Sequence, residues 1–118
     1  MEQVIVNEYF NRAFVSEVYD GDTVTVNLNL GYNVRIFDIK IRLLDVYAPE
    51  IRTSDPEEKK MGLKVRDFLR ELILEKDIYV MAAPNWKKGS WHRYLGTLYT
   101  LEGKNINEMI NSFMEEMT

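Results

Sequence analysis

The residues best suited to chemistry gather in one stretch, Arg42-Leu43-Leu44-Asp45-Val46-Tyr47-Ala48-Pro49-Glu50. It carries a guanidinium, then a carboxylate and a phenol, then a proline with a second carboxylate behind it. Apolar residues alternate at Ile39, Ile41 and Leu43, so Lys40 and Arg42 share the other face of an extended segment. The phase then slips. Leu44 follows Leu43 directly and Val46 continues the apolar set, as one extra residue in a β-bulge would produce. On that expectation Asp45 and Tyr47 fall on the side of Arg42, and bulges concentrate near active sites because they re-aim side chains. Pro49, which has no N–H to give, ends the ladder, and Glu50 opens the exit loop. An edge strand with a solvated polar face has the same pattern, and the stretch alone does not choose between the two.

Asp22 is the second candidate. It shares the parity of Val24, Val26, Leu28 and Leu30, which puts a carboxylate on the core-facing side where a strand begins. A lone buried carboxylate must gain a proton or find a cation. The chain has no cysteine and a single histidine, His92, so thiolate sites and multi-histidine clusters within one chain are excluded. Any metal must sit on oxygen ligands, which points to calcium, magnesium or manganese.

These groups need elements to hold them. Ala13 to Tyr19 and Val24 to Leu30 read as strands joined through Asp20-Gly21-Asp22-Thr23, with the Asp-Gly pair that two-residue hairpin loops favour. Gly31-Tyr32-Asn33 turns the chain into a long strand from about Val34 to Tyr47. Ser54-Asp55-Pro56-Glu57-Glu58 supplies an N-cap, proline at the first helical position and acidic residues in the first turn. Met61, Val65, Phe68, Leu69, Leu72 and Ile73 then form one apolar stripe, with Lys59, Lys60, Lys64, Arg66, Asp67, Arg70 and Glu71 opposite as a solvated face. Strands follow at Ile78 to Ala82 and about Trp91 to Tyr99, separated by the basic loop Trp86-Lys87-Lys88-Gly89. A final short helix is capped by Asn105. The order β-β-β-α-β-β-α suits a small, strongly bent, partly closed barrel of the OB type with helices packed on it.

A chain of 118 residues, 46% hydrophobic and 29% charged, is sized for one soluble domain, 1–118. No run is long and apolar enough to span a membrane. The N-terminus lacks a basic and an apolar region of signal type, which suggests a cytoplasmic protein unless a leader was removed. The net charge of −4 argues against a sequence-blind DNA coat, so a phosphate ligand would need a local cluster or a metal ion.

Taken together, Asp20-Gly21-Asp22-Thr23, Arg42-Leu43-Leu44 leading to Ala48-Pro49-Glu50, the Arg93 strand and Gly103-Lys104-Asn105-Ile106-Asn107-Glu108 resemble the staphylococcal nuclease (thermonuclease) family, from about Val15 to Met114. The resemblance implies an α+β fold, a five-stranded OB-fold barrel with packed α-helices. It implies hydrolysis of DNA and RNA phosphodiester bonds with little sequence preference, using calcium; magnesium and manganese stay open on the oxygen-ligand argument. Carried over residue by residue, it makes Asp22 a calcium ligand and has Ala48 offer the ion its backbone carbonyl. Arg42 and Arg93 become the grip on the scissile phosphate, and Glu50 the group that activates water. Trp91 would lie beside the nucleotide. His92 departs from the family, which usually has glycine before the arginine, and is either a phosphate contact or a partly buried, hydrogen-bonded histidine. Lys87 and Lys88 of the basic loop are further candidate substrate contacts. Tyr47 departs from the pattern, standing where a second metal-binding aspartate is usual; a neutral phenol is a poor ligand for a hard cation. Asp45 is the candidate to replace it. The alternative is an OB module that binds nucleic acid or protein with catalysis weakened or lost. Met109, Phe113, Met114 and Met117 could be covered by a second copy, giving a homo-oligomer through the C-terminal helix.

Overall fold

Alternation sets the first half of the chain. The computed structural model describes residues 10–84 and 93–117. Strands β1 (Phe10–Asp20), β2 (Thr23–Gly31) and β3 (Val34–Leu43) form an antiparallel meander. Val15 pairs with Val26, Val18 with Val24, and Val24 with Ile41, all of them buried. Every second residue therefore joins one core, and fully burying a side chain of this size is worth about 1.5–3 kcal/mol. Helix α1 (Pro56–Ile73), strands β4 (Asp77–Pro84) and β5 (Arg93–Tyr99), and helix α2 (Ile106–Glu116) complete the chain. β4 pairs with both β1 and β5, and β5 runs parallel to β3, so the sheet closes as a barrel in the order β1-β2-β3-β5-β4. A parallel pair needs a long crossover, which α1 and β4 provide. This is the expected OB-like α+β architecture.

Both helices start where the sequence places them. Asp55 caps α1, its carboxylate accepting from the N–H groups of Glu57 (3.0 Å) and Glu58 (3.5 Å), with Pro56 next. Val65, Leu69 and Ile73 of α1 are buried, and Arg70 at its last turn donates to the Val18 carbonyl (3.0 and 3.1 Å). Asn105 caps α2 through Glu108 N–H. Phe113 of α2 stacks on Phe68 of α1, ring centroids 4.2 Å apart, and Phe113, Met114 and Met117 are half-buried against the core. The α2 end is thus partly covered within the chain itself. No helix among the described residues is long and apolar enough to cross a membrane.

One expectation is corrected. β3 stops at Leu43, and residues 44–45 form a turn in which Val46 N–H reaches the Leu43 carbonyl (3.4 Å). The doubled leucine is where the strand ends rather than a bulge within it. Leu43 and Val46 are buried, Leu44 is 45% exposed, and Asp45 takes φ 58°. Such a φ is tolerated by aspartate better than by most residues. The bulge in β3 lies earlier. Val26 opposes Ile39 but Leu28 opposes Ile36, so Asn27 faces two residues, one of them Asp38 at φ 60°. Asp38 N–H donates to Asn27 Oδ1 (3.1 Å), which fixes the bulge.

Candidate active site around Asp22

The β1–β2 turn presents Asp22. Asp20 pairs with Thr23, leaving Gly21-Asp22 as a two-residue loop, and Asp22 N–H donates to Asp20 Oδ1 (3.1 Å). Asp22 is only 7% exposed, as its parity predicts. Each of its carboxylate oxygens has a partner. Thr23 Oγ1 donates to Oδ1 (3.1 Å), Ala48 N–H donates to Oδ2 (3.2 Å), and Arg42 Nη2 stands 3.6 Å from Oδ2. The Asp22 carbonyl accepts from Leu43 N–H (2.8 Å). One residue thus ties together the hairpin, the end of β3 and the loop leading to Glu50. The cation that a buried carboxylate requires is the Arg42 guanidinium.

Arg42 keeps half of its side chain open to solvent, so one edge meets Asp22 while the rest can meet a ligand. Its guanidinium also lies 5.9 Å from the centre of the Tyr47 ring, within cation–π range. Tyr47 is 75% exposed. Glu50 is exposed, and its N–H donates to Glu58 Oε1 (3.3 Å) while Thr53 Oγ1 donates to Glu58 Oε2 (3.4 Å). The start of α1 therefore holds the Glu50 loop, and the Glu50 carboxylate makes no hydrogen bond or ion pair among the described residues.

Residues to which the sequence assigned no role of their own do much of this positioning. Gly62 lets the loop lie on α1: a Cβ there would come 2.7 Å from the Pro49 carbonyl oxygen. Asn107, 5% exposed, donates to the carbonyls of Leu44 and Gly96 and accepts from Leu98 N–H, all at 3.0 Å. Asn111 donates to the Asp45 carbonyl (3.1 Å). Helix α2 thereby clamps the turn that re-aims the chain from Arg42 to Glu50. The available signal was a polar residue between the buried Ile106 and Ile110. Asp20 is the other omission. Half-burial, a hydrogen bond to Asp22 and that neighbour's charge push its pKa up from 3.8 to about 6.

The remaining predicted residues fall as follows. Ala48 is in place, its N–H on Asp22. Arg93 opens β5 at the register position beside Lys40. Asp45 sits in the turn after β3, exposed, and its carboxylate has no hydrogen bond or ion pair among the described residues. Lys87, Lys88, Trp91 and His92 lie outside the described residues. Among the described residues no three acidic or histidine side chains form a metal-holding group. The donor set near the turn is two carboxylates, Asp20 and Asp22. The Asp22 oxygens already meet Thr23, Ala48 and Arg42, and two carboxylates are fewer than the full oxygen shell of a hard cation.

A five-stranded barrel whose β1–β2 turn, β3 end and following loop bring a carboxylate beside a guanidinium defines an OB-fold protein with a polar site. Residues 40–112 match the family described as staphylococcal nuclease homologue, and the chain belongs to that family. It is also similar to Endonuclease YhcR of Bacillus subtilis, 29% identical over 101 residues that make up 81% of this chain and 8% of that protein. The chain thus spans a small part of that relative's length.

Proposed function

We propose that this chain hydrolyses phosphodiester bonds of DNA or RNA with little sequence preference, assisted by a divalent cation. The observation that carries the reading is the Asp22 junction, which holds Arg42 on one side and the Ala48–Glu50 loop on the other. Arg42, half-open to solvent, forks onto two oxygens of the scissile phosphate and opposes the charge that develops on them. Arg93 takes the same role from β5. Glu50, exposed and held at its backbone by Glu58, accepts a proton from the attacking water. Lys87, Lys88, Trp91 and His92 complete the substrate contacts in this reading. Asp22 and the Ala48 carbonyl would hold the cation, which when bound polarises a phosphoryl oxygen and acidifies water.

The test is hydrolysis of single-stranded DNA and of RNA with calcium, magnesium or manganese, against a chelated control. Arg42→Ala and Glu50→Gln should each lower the rate by about 100-fold or more. Lys64→Ala, on the solvent face of α1, should leave it unchanged. Absence of chelator-sensitive cleavage in the parent protein overturns the reading.

Tyr47 favours a second reading, in which the fold binds nucleic acid or protein without cutting. The phenol stands under Arg42 and supplies no charge to a cation. Tyr47→Asp separates the two: a large gain in cation-dependent cleavage means an intact site, and no gain favours the binder.

A further inference from the structure

The outer face of the β2–β3 ribbon continues from Arg42 away from the site. Arg42 pairs with Thr23, Lys40 with Thr25, and Arg35 with Asn29, so the three cations point to the same side. Strict alternation from Arg42 would put Asp38 and Ile36 on that side and Phe37 and Arg35 on the core side. The bulge at Asp38 resets the phase. Ile36 then stays on the core side opposite Leu28, while Arg35 and Phe37 join Arg42 and Lys40 outside. Phe37 is 64% exposed, and Phe14 of β1, 40% exposed, pairs with Asn27 two strands away. Arg35 and Lys40 are exposed and take part in no ion pair among the described residues. In a chain of net charge −4, a row of three cations interrupted by an open aromatic ring is complementary to a polyanion.

We propose that this face is a binding track for single-stranded nucleic acid, along which Lys40 and Arg35 take phosphates about two steps apart and Phe37, between them, stacks on a base. Arg42 and Lys40 stand opposite Thr23 and Thr25, roughly 7 Å apart, and Arg35 stands opposite Asn29, roughly 13 Å beyond Lys40, so the cations fall at one and then about two phosphate steps of an extended single strand. Stacking on a side chain needs a base with a free face, which a duplex does not offer except at its ends. The occupant is therefore a single-stranded polynucleotide of any sequence, a sugar–phosphodiester chain with unpaired bases. Asp38, the lone carboxylate of β3, sits in the row and weakens the track. The proposal rests on the nuclease reading only in naming the strand's far end as substrate; the track itself can hold in a protein that does not cut.

The experiment is fluorescence anisotropy in chelator, with the full chain, an oligothymidylate of about a dozen nucleotides and a blunt duplex of equal length. The parent should bind the single strand more tightly. Phe37→Ala should weaken single-strand binding about 5- to 100-fold, with duplex binding unchanged, and Phe37→Trp should restore it. Arg35→Ala and Lys40→Ala should each reduce the salt dependence of log Kd by close to one phosphate contact, near 0.7 in slope. Asp38→Asn should tighten binding, a gain that misfolding cannot imitate. Thermal melts of each variant exclude unfolding as the cause of a loss. Parent-like binding in the Phe37, Arg35 and Asp38 variants overturns the track, even if Arg42→Ala still abolishes cleavage. Binding that depends on Phe37 in a protein without chelator-sensitive cleavage keeps the track and overturns the nuclease reading instead.

Discussion

Two hairpin turns of equal length meet opposite surroundings. Between β1 and β2, Gly21 lies under α1: a Cβ there would come 2.4 Å from Val65 Cγ1 and 2.9 Å from Ala48 Cβ. Between β2 and β3, Gly31 precedes Tyr32-Asn33, and a Cβ on it would have nothing within 4 Å. Gly31 is there for its backbone, φ 79°, whereas Gly21 is there for space. The closed turn holds a carboxylate at 7% exposure beside Arg42, while the open turn ends in Tyr32 at 99% exposure. A tight turn becomes a site only when other elements close on it.

Gly21→Ala breaks the comparison most strongly. The new methyl must displace Val65 or Ala48, and overpacking of this kind costs about 1–3 kcal/mol. Moving Ala48 also pulls its N–H from Asp22, so cleavage should fall with stability. Val65→Ala added to Gly21→Ala should recover part of both, because the colliding Cγ1 is gone. Urea denaturation reads the first effect and initial rates the second; a Gly21→Ala protein as stable and active as the parent means that the turn is not closed. Gly31→Ala should cost less, about 1 kcal/mol from the left-handed backbone alone, and leave activity untouched.

Much of this contrast could be read in the residues, and part could not. Alternation at Val24, Val26, Ile39 and Ile41 reports the core side, so the first hairpin and the placement of Asp22 followed from parity and the Asp-Gly turn, whereas the closing pairs β1–β4 and β3–β5 did not. Asp55-Pro56 and Asn105 announced the helices because capping is local chemistry. The doubled leucine misled for a definite reason: a turn and a bulge both break period two, and only the hydrogen bonds of Asn107 and Asn111 to the carbonyls at 44 and 45 select the turn. Those bonds join residues more than sixty positions apart, beyond any local pattern. The true bulge at Asp38 did leave a mark, since Val34 and Ile36 have one parity and Ile39, Ile41 and Leu43 the other, and the break at Phe37-Asp38 was passed over for the one at Leu44. Gly21 announces a turn and Gly62 nothing, and the need of both for space stays illegible because the packing of α1 sets it.

Asp20 sharpens the comparison through pH. Its pKa in the folded protein, about 6, lies above its ordinary 3.8, so between these values the folded state binds more protons than the unfolded. Stability from this group is thus fully present below about pH 4 and is lost as pH rises through 6. Partial exposure screens the effect to on the order of 1 kcal/mol. Asp20→Asn keeps an oxygen for Asp22 N–H and should flatten the fall in urea midpoint between pH 4 and 7, measured in chelator. A slope that survives the substitution assigns the pH dependence to another group.

The open turn should respond least. Tyr32 and Asn33 both occupy the left-handed region, at φ 54° and 64°, the conformation for which two-residue hairpin loops favour Asn-Gly. Tyrosine there bears backbone strain and packs against nothing that would compensate. Replacing the pair by that sequence, Tyr32→Asn with Asn33→Gly, relieves the strain, while the added freedom of glycine in the unfolded chain offsets part of the gain. The expected result is stabilisation by a few tenths of a kcal/mol, read as a slight rise in melting temperature, with cleavage and single-strand binding unchanged. Loss of stability or of cleavage in this variant would mean that the ribbon tip touches something the closed turn depends on, and the two turns would then be one device rather than two.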